Sequence, residues 1–381
     1  MNVICLSDVA WNFLWQRQHQ LLSRFPKDCK ILYVEPSFWK ALVLRIINFC
    51  SHIKTPATNH NEIIVKSIPT IPFVDRSTAF RKINDSIIIH IMRSFVQKYD
   101  LSKSLLIIYN PRFSCVLGKL KESLSCYEII DEKMEFEAIP QWLEINHEFL
   151  IRNANLITVS SNILHKRVSA ERRNDTFLIG NGADISHFKR SMLDIEIPLD
   201  IRSIKNPILG YTGAIGEWFD FALLEYILKT LPNIEVVLIG WAFNKQRLTI
   251  TRLRRTYPNL HFMGRRSYDL LPNYVKAFAA CIIPFRVYKL TEAVNPTKLY
   301  EYLAAGKPVI STALPELAIY KQAIYVAKNY SEFLEFINKA LFDKKNHGAE
   351  RIEIASKHDW KDKVQRMLDI IDIYKRKTIS K

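Results

Sequence analysis

Acidic residues are in short supply: 38 Asp and Glu stand against 54 Lys and Arg, a formal net charge of +16. A surplus of that size favours polyanionic partners, whether nucleic acid, anionic lipid or phosphorylated small molecules, without choosing among them. What is missing narrows the choice. There is no zinc-finger spacing, no aromatic RNA-binding motif and no long Lys/Arg tract, so nucleic acid is not an expected partner. The six cysteines, Cys5, Cys29, Cys50, Cys115, Cys126 and Cys281, form no CxxC pair. Free thiols in a reducing compartment are the expectation. No basic segment precedes the apolar stretch of the opening MNVICLSDVAWNF, and no apolar run approaches the roughly 20 residues of a spanning helix. The expected location is cytoplasmic, peripheral at the inner face of the cell membrane.

With 48% hydrophobic and 24% charged residues the 381-residue chain has a globular composition, and its length calls for two cores. Short apolar runs, among them Val3–Ser7, Lys30–Val34, Leu105–Tyr109, Leu156–Ser160, Pro207–Tyr211, Ile234–Ile239 and Ala280–Ile283, alternate with helix-like stretches such as Trp15–Arg24, Pro140–Asn153, Phe221–Thr230 and Thr297–Ala305. The runs are continuously apolar, as strands covered on both faces of a parallel sheet must be. The alternation predicts an α/β protein with two Rossmann-like, doubly wound domains. The mixed, charged stretch between residues 185 and 207 breaks the pattern. The expected division is residues 1–190, residues 205–360 and a C-terminal helix or tail at 361–381. Two such sheets facing across a cleft would put the ligand at their carboxyl ends.

The most informative segment is NPTKLYEYLAAGKPVIST, residues Asn295–Thr312. Asn295 suits a helix cap and Pro296 the first helical position. Gly306 and Pro308 end the helix and lead into a strand. A helix start with free N–H groups attracts a diphosphate, and Pro296, Thr297 and the ammonium of Lys298 lie there. Glu301, three residues beyond Lys298, shares its face and can accept hydrogen bonds from ribose hydroxyls.

This segment resembles the donor-binding helix of the GT-B glycosyltransferases, especially the family-4-like group, in which an acidic residue and seven others precede Glu-Ala-Met-Ala-x-Gly-x-Pro-Val. The resemblance implies that Glu301 binds the nucleotide ribose. The family's first acid falls at Ala293 here, with Glu292 one residue further out. Contact with the donor sugar and a solvated loop carboxylate both remain open for Glu292. GYTGAIGEWFD, Gly210–Asp220, resembles the first strand and turn of the C-terminal domain in bacterial polysaccharide glycosyltransferases, with Gly213 and Gly216 giving a ligand close access to backbone. The Arg or Lys usual after that turn is absent, so Lys298, Arg265, Arg286 or Lys289 must meet the phosphates. IGNGADISHF, Ile179–Phe188, and FMGRRSYDLLPNYV resemble further stretches of the family.

In the first half, WNFLWQRQHQLL resembles stretches of cell-surface polysaccharide glycosyltransferases of the teichuronic-acid type. Gln16 and Arg17 are implied acceptor-binding residues, Arg17 through a phosphate of donor or lipid-linked acceptor, and His19 a base or a hydrogen-bond donor; a plain surface helix start is the alternative. IIDEKMEF carries Asp131 and Glu132 at a strand's carboxyl end, as general bases or as a helix cap. Phe38–Lys54 and Ser77–Lys98 mix apolar residues with cations, Arg76, Arg81, Lys82 and Arg93 among them. Each reads as a helix in an anionic membrane interface or as an α/β helix with basic edges. The implied reaction moves a sugar, a hexose, from a nucleoside diphosphate sugar to an oligosaccharide or lipid-linked glycan in cell-surface polysaccharide synthesis. No DxD motif stands in a strand-end loop, so neither metal nor other cofactor is expected. A nucleotide-sugar epimerase on the same fold and a catalytically inactive binding protein are the alternatives. Retention and inversion are not distinguished.

Overall fold

The computed structural model describes residues 1–38, 62–135, 139–342 and 347–379. The chain divides into two compact units, Met1–Ile179 with Val364–Lys381, and Gly180–Lys363. The division thus falls at 179/180, before the mixed stretch in which the sequence suggests it. The last helix, Trp360–Ile379, begins in the second unit and continues in the first.

The first unit holds seven parallel strands: β1 (Val3–Leu6), β2 (Ile31–Phe38), β3 (Ile63–Thr70), β4 (Leu105–Ile108), β5 (Leu124–Ile129), β6 (Leu156–Val159) and β7 (Thr176–Leu178), in the order β3-β2-β1-β4-β5-β6-β7. The short strands β1 and β4, VICL and LLII, are buried at every position because helices cover both faces. Val3 pairs with both Ile31 and Leu105, which sets the register about the central strand.

The second unit holds β8 (Ile208–Thr212), β9 (Glu235–Ile239), β10 (Leu260–Gly264), β11 (Ala280–Ile283), β12 (Val309–Thr312) and β13 (Tyr325–Ala327), in the order β10-β9-β8-β11-β12-β13. It is again wholly parallel. In each sheet the strand order reverses beside the first strand, next to β1 and next to β8. An open α/β sheet of this kind offers a ligand crevice at the carboxyl ends flanking that point. Of the membrane-interface stretches suggested by the sequence, Phe38–Lys54 lies outside the described residues except for Phe38, which ends β2. Thr78–Lys98 is a helix resting on Asn84, Ile88 and Met92, with Arg76, Lys82 and Arg93 exposed at its edges. No described helix is long and apolar enough to cross a membrane.

Candidate functional site

Three adjacent strands of the second unit end in glycines with positive φ: Gly213 at +138°, Gly240 at +142° and Gly264 at +63°. The turns interlock. Gly213 N–H donates to the Ile239 carbonyl at 2.7 Å and Gly240 N–H to the Gly264 carbonyl at 2.9 Å. A Cβ on Gly240 would stand 2.0 Å from the Gly213 carbonyl oxygen, so only a bare backbone fits there. At Gly213 a Cβ would stand 2.1 Å from Lys298 Cε and 2.5 Å from Nζ. The missing side chain is therefore the space that the lysine fills. The Lys298 ammonium lies 5.5 Å from the Tyr211 ring and 5.9 Å from the Phe285 ring, a placement over aromatic faces that favours a cation.

Lys298 is supplied by the helix Thr297–Ala304, which buries Leu299, Tyr300, Tyr302, Leu303 and Ala304. Pro296 occupies the cap position and no side chain caps the helix start. The sequence suggests Asn295 as cap and Pro296 as the first helical residue. The observed start lies one residue later, because Asn295 sits in the preceding turn, where its carbonyl accepts the Asn181 Nδ2–H at 2.6 Å. Tyr302, wholly buried, accepts the Thr212 N–H on its hydroxyl at 2.8 Å and ties the helix to the end of β8. Thr297 and Lys298 remain partly exposed at this helix start. The arrangement presents backbone dipoles and a full positive charge at one end of the sheet, a combination suited to an anion.

Glu301 lies one turn beyond Lys298 and is only 8% exposed. Burial pushes its carboxyl up from the ordinary 4.5 to about 7, with the Lys298 charge pulling the other way. Among the described residues no side chain forms a hydrogen bond or ion pair with this carboxylate. A ligand hydroxyl is the kind of group that would satisfy it.

The other sequence candidates of this unit divide. Arg265 and Arg286 are exposed at the carboxyl ends of β10 and β11, the latter with its guanidinium 5.0 Å from the Tyr288 ring. Glu292 is half-buried at the end of the short helix Lys289–Glu292, and Ala293 beside it is fully buried. The position at which the related enzymes carry their first acid is thus a core residue, which leaves Glu292 as the nearby carboxylate. Gly216 has a packing reason for its lack of side chain: a Cβ would stand 2.5 Å from the Trp218 ring, which folds back over it. Asp220, closing the same loop, caps the helix Phe221–Thr230 through the Leu223 N–H at 2.9 Å and accepts the Tyr330 hydroxyl.

In the first unit the structure corrects two expectations. His19 is wholly buried in the helix Arg17–Leu22; its Nδ1 accepts the Gln16 N–H at 3.1 Å, and its Nε2 lies 3.0 Å from the Trp11 carbonyl. Both nitrogens are engaged and burial lowers its pKa to about 4, so it is a neutral core residue and not a base. Gln16 is the cap of the same helix and forms a capping box with His19. The Arg17 guanidinium is engaged within the protein. It is buried against Glu128, Nε to Oε1 at 2.7 Å, and donates to the Ile179 carbonyl at 2.8 Å. The guanidinium thus clamps the last residue of the first unit to β5. Asp131 and Glu132 do come together, lining an open pocket of about 130 Å³ with His147, Arg167 and Glu171. Glu132 is ion-paired with Arg167. The Tyr127 hydroxyl hydrogen-bonds His147 Nδ1 at 2.6 Å. Among the described residues no cluster of His, Cys, Asp and Glu is arranged to hold a metal.

Gly240 belongs to the site framework but lies outside the motifs, while Tyr302 and Asn181 fall inside motif stretches whose contacts the sequence does not show. The available signal for Gly240 is a glycine directly after the apolar run Ile234–Ile239, the same pattern that marks Gly213.

Residues 206–343 match the family model described as glycosyl transferases group 1. Over 169 residues the chain is 28% identical to TuaH of Bacillus subtilis (strain 168), described as a teichuronic acid biosynthesis glycosyltransferase. The alignment covers 44% of this chain and 42% of that protein, so the chain matches less than half the length of this relative. Among solved structures, HepE of Anabaena in complex with UDP and glucose is similar over 97% of this chain and 99% of its own, with a TM-score of 0.70 at 15% identity. The sucrose-phosphate synthase of Thermosynechococcus elongatus is similar over the full length of both chains, with a TM-score of 0.66 at 15% identity. These likenesses, with the two parallel sheets, show the GT-B fold.

Proposed function

We propose, from the match of residues 206–343 to the glycosyl transferases group 1 model, that the chain transfers a hexose from a nucleoside diphosphate sugar to a glycan acceptor. The observation that carries the reading is the joint placement of Lys298, the uncapped helix start and the buried Glu301 at the carboxyl end of β8. In this reading the nucleotide diphosphate lies over Gly213, where Lys298 and the helix dipole stabilise the charge that develops on the leaving group. Glu301, ionised on binding, accepts the ribose hydroxyls. Arg265 and Arg286 supply further positive charge, and Glu292 is the candidate contact to the donor sugar. UDP-glucose is the first donor to try, since HepE was solved with it.

We assign acceptor handling to the first unit, with Asp131 as the proposed general base and Glu132, already engaged by Arg167, as its neighbour. A lipid-linked acceptor in cell-surface polysaccharide synthesis, at the inner face of the membrane, accords with the +16 charge and the TuaH likeness. Transfer is proposed to need no metal. The test is an incubation of radiolabelled UDP-, GDP- and TDP-sugars with purified protein and a membrane lipid extract, with and without EDTA. Label in the lipid or polymer fraction, insensitive to EDTA and lost in Lys298→Ala, is expected. Donor isomerisation without transfer, or release that depends wholly on added metal, would overturn the proposal.

A further inference from the structure

The helix Asn244–Thr256 carries five cations, Lys245, Arg247, Arg252, Arg254 and Arg255, and no acid. Only Ile250 and Leu253 are buried, so the helix touches the core along one narrow line and all five cations are exposed. Lys245, Leu248, Arg252 and Arg255 recur at intervals of three and four on the outward face. Among the described residues Arg252 is the one of these with an ion pair, to Glu225 at 3.7 Å. The start of this helix and the turn before it expose a cluster of large apolar side chains. Leu248 is 74% exposed, Phe243 46% and Trp241 38%, and the Arg247 guanidinium lies 5.5 Å from the Trp241 ring. Trp241 and Phe243 flank the turn that follows β9. That turn is anchored by Ile215 N–H to the Trp241 carbonyl at 2.8 Å and Phe243 N–H to the Ile215 carbonyl at 3.2 Å.

We propose that this face of the second unit docks on an anionic lipid bilayer, with Trp241, Phe243 and Leu248 entering the headgroup boundary and the five cations meeting lipid phosphates. Two features favour a bilayer over a folded partner. The charge is of one sign across about three turns, which suits a diffuse field of headgroups. The exposed apolar residues are an indole, a phenyl ring and a leucine beside cations, the composition of interfacial membrane helices. The consequence is positional. Trp241 follows the carboxyl end of β9, at the same end of this sheet as Gly213 and Lys298, so docking holds that end against the lipid surface. The inference does not rest on glycosyl transfer, and its test contains no nucleotide or acceptor.

The experiment is co-sedimentation of the full chain with vesicles of phosphatidylcholine alone and of equal parts phosphatidylcholine and phosphatidylglycerol. It is run for the wild type, for the triple variant Lys245→Glu, Arg247→Glu, Arg255→Glu, and for Trp241→Ser with Phe243→Ser. Thermal unfolding verifies that each variant is folded. The wild type is expected to bind the anionic vesicles and to leave them as salt is raised. With each basic residue near such a surface contributing on the order of 1 kcal/mol, the triple reversal is expected to weaken partitioning at least about 100-fold. The aromatic variant is expected to weaken it about tenfold or more. Wild-type indifference to anionic lipid, a triple variant that binds like the wild type, or strong binding to single-stranded RNA in place of vesicles would each overturn the proposal.

Discussion

Glu301 offers a sharp test because the chemistry that suits it to a ligand costs the apo protein stability. Its carboxyl moves from 4.5 to about 7 on folding because burial strips water from the charged form. The folded state therefore retains a proton that the unfolded chain releases across that interval. Stability from this group is fully present below pH 4.5 and is lost as pH rises towards 7. At 1.36 kcal/mol per pH unit, ionising the folded carboxyl at pH 8 costs about 3 kcal/mol. Glu301→Gln keeps the shape and removes the titration. Relative to wild type it should be near neutral at pH 4.5 and more stable by about 3 kcal/mol at pH 8. For a unit of this size that is roughly 6–12 °C in melting temperature. The difference between the two proteins at each pH cancels every other titrating group, so paired thermal or urea unfolding at the two pH values suffices. Equal stability at both, or a loss at pH 8, would refute the buried-carboxylate account. The same substitution should weaken nucleotide binding, since a site that costs stability is repaid when its ligand arrives.

The backbone turns give a second prediction. Gly240→Ala drives a Cβ into the Gly213 carbonyl and should cost more than about 3 kcal/mol by denaturant unfolding. Gly213→Ala meets only the mobile end of Lys298, so its cost should stay near the ~1–3 kcal/mol of the strained φ, while donor binding falls further. Arg17→Ala strands Glu128 in the core and should cost about 3 to 5 kcal/mol, and Glu128→Leu added to it should recover part of the loss. His19, held neutral down to about pH 4, contributes stability that is lost as pH falls from 6.5 towards 4. A pH–rate profile between 6 and 9 should be unchanged in shape by His19→Gln, and the disappearance of a limb in that variant would restore His19 as a base.

The strands were legible where apolar runs were unbroken: β1, β4, β9 and β11 are contiguous in sequence and buried at nearly every position. The three-residue strands β7 and β13 give too short a run to recognise, because each finds its partner only in the assembled sheet. The basic helix Asn244–Thr256 escapes a reading based on apolar periodicity, since it buries just Ile250 and Leu253. Within the site, the shared face of Lys298 and Glu301 follows from helical spacing and was readable directly. The depth of Glu301 was not, since it depends on what the helix packs against. Arg17 and His19 misled for a related reason. Polar residues after a first strand read as ligand-facing, yet the carboxylate that claims Arg17 lies 111 residues along the chain. No local pattern announces such a pairing.

The most direct measurement is calorimetric titration of UDP-, GDP- and TDP-sugars into the wild type, Lys298→Ala and Glu301→Ala, with each variant first shown to be folded. The account predicts that one nucleotide sugar binds the wild type and that binding to it is lost, by tenfold or more, in both variants. Undiminished binding in both, or no binding of any of the three to the wild type, would contradict it.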